Sequence, residues 1–261
     1  MELLAGTVDA VREVAAQLVA RHRDEPARAV TLAEAAEVFD ALDGPASALL
    51  RDRLTALRPG ARWLEDELAA RVPADGEWWV CDATDGAVQY LHGLPHWAVT
   101  ATLVRDGEPV LAVVHAPYLD ATYTAEPGGG ARLNGRGVRP RRRELAAAVA
   151  ATAQPPLVGQ DPVAVRRAGE SLGAVLPWVL AVRNLGPTAV QVAQVGSGHL
   201  SLFWEYGSDA GNLLPGALVA REAGALVTDA TGAPWTASSP SFVAAAPSLH
   251  ADLLALLREI P

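Results

Sequence analysis

A chain of 261 residues with 21 basic and 30 acidic side chains carries a net charge of −9, and half of its residues are apolar. It is long enough to bury a large core, as one large domain or two small ones, and its ordinary composition excludes a disordered, collagen-like or coiled-coil chain. The acid excess argues against a broad nucleic-acid surface, the single cysteine (Cys81) excludes an intramolecular disulfide framework or a multi-cysteine zinc site, and the absence of lysine excludes lysine-based catalysis.

The opening stretch MELLAGTVDAVREV carries acids early and no basic start before an apolar segment, so no secretory signal is expected. The longest apolar run, around residues 174–182, is too short for a bilayer and contains Pro177. The expected address is the cytoplasm, with no membrane and no nucleic-acid partner.

Residues 8–22 place Val8, Val11, Ala15, Leu18 and Val19 at helical spacing, and residues 33–57 repeat the pattern with Leu42, Leu49, Leu50, Leu54 and Leu57. Asp43-Gly44-Pro45 predicts a turn or break within that second stretch, and Arg58-Pro59-Gly60 its end. The middle of the chain reads as strands. Residues 78–81 form a short apolar run that stops at Asp82, and 97–104 and 110–115 are β-rich runs joined by the hairpin signal Arg105-Asp106-Gly107-Glu108. Residues 121–125 follow, then a glycine-rich turn and a short run before Asn134-Gly135. An antiparallel sheet packed on helices is the simplest account.

Beyond a small basic cluster at 139–143, read as a solvated loop, residues 163–175 and 187–200 look helical and 202–206 look like a strand. Residues 213–223 predict a helix capped by Gly224, 226–229 a strand before Thr231-Gly232, and 248–257 a closing helix. The alternation suggests two interlocked α+β halves, 1–145 and 146–261, with a seam near 140–150.

The densest acidic feature is Asp82-Ala83-Thr84-Asp85-Gly86, directly after an apolar strand. Two carboxylates three apart in a turn can converge on a hard cation such as Mg²⁺ or Ca²⁺, with a backbone carbonyl such as that of Thr84 joining them. Asp and Gly dominate turns in any case, so spacing alone leaves a plain polar turn as the simpler reading. Upstream, Glu65-Asp66-Glu67 reads either as a solvated helix start or as a source of one further cation ligand. Gly196-Ser197-Gly198 is not a phosphate loop, and neither a Walker loop nor a Gly-x-Ser-x-Gly elbow occurs. His92, His96 and His115 show no metal-type spacing and read as structural.

Trp79-Val80-Cys81-Asp82-Ala83-Thr84-Asp85-Gly86 resembles the Trp-x-x-Asp-Pro-x-Asp-Gly-Thr signature of the inositol monophosphatase family. The match continues in register through Tyr90-Leu91-His92-Gly93-Leu94-Pro95-His96-Trp97-Ala98-Val99, Gly130-Ala131 with Asn134-Gly135, and Gly186 with Thr188-Ala189. Gly216-Ala217-Leu218, Arg221-Glu222-Ala223-Gly224 and Asp229-Ala230-Thr231-Gly232 resemble its C-terminal signature.

The resemblance implies an α+β fold arranged as a layered α/β/α/β/α sandwich, a homodimer, and Mg²⁺-dependent hydrolysis of a small phosphate monoester. It places the acidic metal motif in the first half and substrate-side residues in the second. Carried over residue by residue, Asp82 and Asp85 are the central metal-binding aspartates, and Thr84 lends a carbonyl. Asp43 is the early aspartate near the nucleophile. Asp66 and Glu67 are the acidic pair, with Glu65 as a one-residue alternative. Glu205 is a substrate-side glutamate. Gly86, Arg183, Gly186, Thr188 and residue 212 belong to the substrate side, the last also to the second metal site. The apolar middle sheet region is the expected dimer interface.

Two departures bear on chemistry. Ala87 stands where a water-activating threonine is expected and has no hydroxyl. Asn212 stands where an aspartate is expected; it can offer an amide oxygen but no charge, so fewer than three Mg²⁺ are expected. Three readings follow: a metal-dependent phosphatase with altered ligands, acting on a sugar, cyclitol, nucleotide or amino-alcohol phosphate; a repurposed enzyme carrying out another tailoring reaction in the same pocket; or a non-catalytic binding or scaffold protein.

Overall fold

The computed structural model describes residues 2–23, 25–65, 72–156, 158–258 and 260. Helix α1 (Glu2–Arg21) buries Ala10, Val11, Val14, Ala15 and Leu18, the three-to-four spacing that puts one apolar face on a sheet. Helix α2 (Leu32–Leu57) opens with a capping box: Thr31 Oγ1 accepts the Glu34 N–H at 3.2 Å, and the Glu34 carboxylate accepts the Thr31 N–H at 3.0 Å.

The break expected at Asp43-Gly44-Pro45 does not occur, and α2 runs through Pro45. Proline there removes one N–H and strains the preceding turn, at a cost of about 3 kcal/mol. Packing offsets it. Ala46, Leu50 and Leu54 are buried just downstream, with Leu42 and Leu49 packed on the same cluster. Ser47 Oγ also donates to Asp43 Oδ2 at 2.8 Å across the proline-containing turn.

Seven strands form the first sheet in chain order: β1 (Arg62–Trp63), β2 (Glu77–Asp85), β3 (Ala98–Arg105), β4 (Glu108–Ala116), β5 (Ala121–Glu126), β6 (Gly130–Leu133) and β7 (Arg136–Gly137). All neighbours are antiparallel except β1 and β2. Asp106 (φ 51°) and Gly107 (φ 82°) turn β3 into β4, the paired positive φ of a tight hairpin.

Strand β2 does not stop at Asp82 but continues to Asp85. Asp82 pairs with Thr100 and Asp85 with Ala98, three steps on β2 against two on β3. That is a one-residue β-bulge, the local device that re-aims side chains at a strand end.

The second sheet has the order β11-β12-β10-β8-β9, from β8 (Val149–Thr152), β9 (Ala181–Arg183), β10 (Leu202–Tyr206), β11 (Leu226–Thr228) and β12 (Ser241–Ala245). Strands β8, β9 and β10 are parallel, while β12 is antiparallel to both of its neighbours.

Helices α1 and α2 cover one face of the first sheet. Helices α5 (Thr188–Ser197) and α6 (Ala210–Glu222) fill the space between the sheets. Helices α4 (Pro162–Val175) and α7 (His250–Leu257) cover the outer face of the second sheet. The layering is the expected α/β/α/β/α. Both faces of the first sheet are therefore covered. α5 and α6 are apolar nearly all round because both sides meet a sheet. Gly216 brings them together: a Cβ there would lie 2.7 Å from Val192 Cβ and 2.9 Å from the Ala189 carbonyl.

Candidate active site

A cleft of about 540 Å³ opens where several chain ends converge. Its lining includes the bulged end of β2 (Asp82, Thr84, Asp85), the start of the short helix α3 (Ala87–Leu91), Phe39 on α2 and Asn212 on α6. The segments after the parallel strands β8 (Ala153–Pro156) and β9 (Asn184–Thr188) complete it. Crevices beyond the carboxyl ends of parallel strands are common ligand positions. A larger depression, about 690 Å³, lies among Arg142, Arg143, Glu144, Ser248 and Asp252, shares no residue with the cleft, and gathers none of the expected site residues.

The bulge explains how Asp82, Thr84 and Asp85 serve one wall. The Thr84 N–H donates to Asp82 Oδ1 at 2.7 Å, closing a small turn. The Thr84 hydroxyl donates to Asp43 Oδ1 at 2.8 Å, tying β2 to α2. Thr84 and Asp85 are buried. Gly86 (φ 95°) then turns the chain into α3; a Cβ there would lie 3.0 Å from the His96 carbonyl and 3.2 Å from Trp97 Cα, so glycine is required by both torsion and space. Ala87 lines the cleft with a methyl group.

Opposite this wall, Gly186 and Thr188 flank the start of α5, whose first N–H groups have no intrahelical acceptor. Asn184 Nδ2 donates to Gln154 Oε1 at 3.0 Å, and the Leu185 N–H donates to Gln191 Oε1 at 3.2 Å. Asn212 Nδ2 donates to Asp209 Oδ1 at 2.8 Å. Among the described residues no arginine or histidine lines the cleft.

Glu205, on β10, does not line the cleft but lies behind it, 1 % exposed. Its carboxyl approaches Asp209 and Thr188, yet neither oxygen has a partner of hydrogen-bond geometry. Burial, then the charge of Asp209, pushes the Glu205 carboxyl well above the usual range. Burial also raises Asp209, to about 6, against the lowering effect of the neighbouring Glu205 carboxyl and of the hydrogen bond from Asn212. Arg183 is exposed, donates to the Val182 carbonyl at 2.9 Å, and lies outside the lining. Burial pushes the Cys81 thiol up, so it remains a protonated packing group beside Asp82.

Asp66 and Glu67 lie outside the described residues. Their neighbour Glu65 is exposed and paired with Arg51 at 2.7 Å. Among the described residues no three His, Cys, Asp or Glu side chains gather as a metal cluster. The cleft lining nonetheless carries Asp82, Thr84, Asp85 and Asn212, residues that offer oxygen donors and net negative charge. That chemistry fits Mg²⁺. Sequence reasoning missed Phe39, Gln154 and Asn184, because the last two follow the ends of β8 and β9, strands it did not recognise.

The family model for the inositol monophosphatase family matches residues 1–261. The chain is 36 % identical over 209 residues to an inositol-1-monophosphatase of Rhizobium meliloti, covering 78 % of this chain and 76 % of the relative. Its fold is similar to that of Mycobacterium tuberculosis SuhB, with a TM-score of 0.78, 30 % identity, and 99 % and 96 % of the two chains covered. It is also similar to the extragenic suppressor protein suhB of Bartonella henselae, with a TM-score of 0.81, 26 % identity, and 99 % and 100 % covered. With the layered fold, the bulged acidic turn and these likenesses together, the chain belongs to the inositol monophosphatase family.

Proposed function

We propose that this protein hydrolyses a small phosphate monoester with the help of Mg²⁺. The observation that carries the reading is the β2 bulge, which brings Asp82, Thr84 and Asp85 to one cleft wall facing Asn212 and the start of α5. Asp82, Asp85, the Thr84 carbonyl and Asn212, with Asp66 and Glu67, would hold the metal. When bound, Mg²⁺ supplies positive charge to phosphoryl oxygens and makes water more acidic.

The chain's own groups do the rest. Unpaired N–H groups at the start of α5 favour an anion there. Asp43 holds the Thr84 hydroxyl and so steadies the turn that presents Asp82. The alcohol portion of the substrate meets Phe39, Val88, Pro155 and Pro156, with amides at Gln154 and Asn184. Such a wall suits the hydroxyls and carbon faces of a sugar or cyclitol. The homodimer is part of the proposal. Its support is an exposed apolar strip, Leu176, Trp178 and Leu180, leading into β9 at the open edge of the second sheet.

The test is phosphate release from a panel of monoesters with and without Mg²⁺. Release is expected to require Mg²⁺ and to fall by roughly 10² or more in Asp82→Asn. The second reading, a repurposed pocket, is favoured by Ala87 and Asn212. No release by wild type, with release by an Ala87→Thr/Asn212→Asp double variant, would support it.

A further inference from the structure

Asn212 is held in one orientation. It stands in the first turn of α6, lines the cleft, and gives its amide nitrogen to Asp209, three residues earlier. With the amide nitrogen 2.8 Å from Asp209 Oδ1, the amide oxygen is left to the cleft. The hydrogen bond also polarises the amide, making that oxygen a better donor to a cation.

Asp209 has no ordinary structural task to explain its burial. It occupies the N-cap position of α6, yet its side chain makes no capping hydrogen bond. It is 8 % exposed, and its Oδ2 is buried with no partner. Behind it, both Glu205 oxygens are buried without partners. Among the described residues neither acid forms an ion pair. Buried carboxyl oxygens without partners are costly, and each requires an explanation.

We propose that Asp209 is a positioning residue for the cation site: it turns the Asn212 oxygen toward the cleft and supplies, from one layer behind, the negative charge that asparagine lacks. This rests on the Mg²⁺ reading above. It accounts for an asparagine at a ligand position without loss of the site: the charge has moved back by one side chain, and the oxygen remains in front.

The test uses Mn²⁺ as the probe, its free concentration read by electron paramagnetic resonance during titration of the full-length protein, with metal-free melting measured alongside. Asp209→Ala should weaken Mn²⁺ binding at least tenfold. Asp209→Asn, which keeps an acceptor for Asn212 but not the charge, should weaken it about threefold. In an Asn212→Asp background the direct carboxylate no longer depends on amide orientation, and either change at 209 should cost less than twofold. Metal-free Asp209→Asn should melt no lower than wild type, since a buried charge is removed. A loss below twofold for both variants in the native background, or an equal loss in both backgrounds, overturns the proposal. Should Asp209→Ala fail to fold, the Asn variant in the two backgrounds decides alone. Wild type that binds no Mn²⁺, or binding untouched by Asp82→Asn, overturns the Mg²⁺ reading and this proposal with it. Binding that needs Asp82 but ignores residue 209 overturns this proposal only.

Discussion

The carboxylate of Asp43 accepts the hydroxyl of Thr84 at 2.8 Å, joining the middle of α2 to the bulged end of β2. The same carboxylate accepts Ser47 through its other oxygen. Thr84 in turn gives its N–H to Asp82. A hydroxyl is therefore present on this turn although position 87 has none, and it is committed to Asp43.

Thr84→Val keeps the shape and removes the hydroxyl. It leaves one Asp43 oxygen without its partner, so a stability loss of about 1–2 kcal/mol is expected. Thr84→Ser should recover most of it. Urea midpoints of the three proteins check this, and phosphate release should fall in the valine variant because the turn presenting Asp82 loosens.

Gly86 and Gly216 are close approaches of different kinds. At Gly86 an alanine meets both a positive φ and the His96 carbonyl; at Gly216 it meets Val192 and the Ala189 carbonyl between two buried helices. Each Gly→Ala substitution should cost about 1–3 kcal/mol. Only Gly86→Ala, which distorts the acidic turn, should also depress phosphate release in protein that remains folded at the assay temperature.

Glu77 is bound by two arginines, Arg58 at 2.8 Å and Arg105 at 2.6 Å. The Arg58 hydrogen bond, the largest cause, holds its carboxyl below the usual range. Its folded pKa lies below the unfolded one, so the unfolded chain takes up the proton first. The stabilisation is thus present above the ordinary value near 4.5 and is lost as pH falls through the folded value. Both arginines are about half exposed, so Glu77→Gln should cost only about 1 kcal/mol at neutral pH. The difference should vanish once acid has protonated Glu77 in both states, as denaturant midpoints at neutral and acid pH would show.

The strip at Leu176, Trp178 and Leu180 makes the dimer testable. Trp178 is 56 % exposed. Wild type is expected to sediment as a dimer, and Trp178→Glu with Leu180→Glu as a monomer with its melting in dilute solution lowered only slightly. A monomeric wild type would remove the dimer from the proposal.

Much of this was legible in residue order. Apolar spacing located α1, α2, α4 and α6, and Asp106-Gly107 marked the first hairpin. The acidic pentad and its family likeness located the cleft wall. What was hidden has physical causes. Half of residues 149–152 are alanine, a poor β-former, and β8 lies in the alanine-rich stretch 146–153, so it showed no strand signal; β9 is only three residues long. Without those strands nothing indicated that Gln154 and Asn184 would meet. Asp43-Gly44-Pro45 reads as a break by local rules, and packing against α1 and the first sheet overrides them. The extension of β2 to Asp85 is a matter of register with β3, which a single strand's sequence does not carry.

That register has a consequence for how the protein can change. Side chains along a strand alternate between faces, so an odd shift in pairing reverses every one beyond it. Between Asp82 and Asp85 the chain holds one residue more than its partner needs. Removing Ala83 or Thr84 would leave Asp85 opposite Ala98 but straighten the strand and abolish the small turn between Asp82 and Thr84 on which the cleft wall is built. The cleft can therefore exchange a threonine for Ala87 or an aspartate for Asn212 and keep its geometry, while it tolerates no change in count. For this stretch, length is under tighter physical constraint than identity.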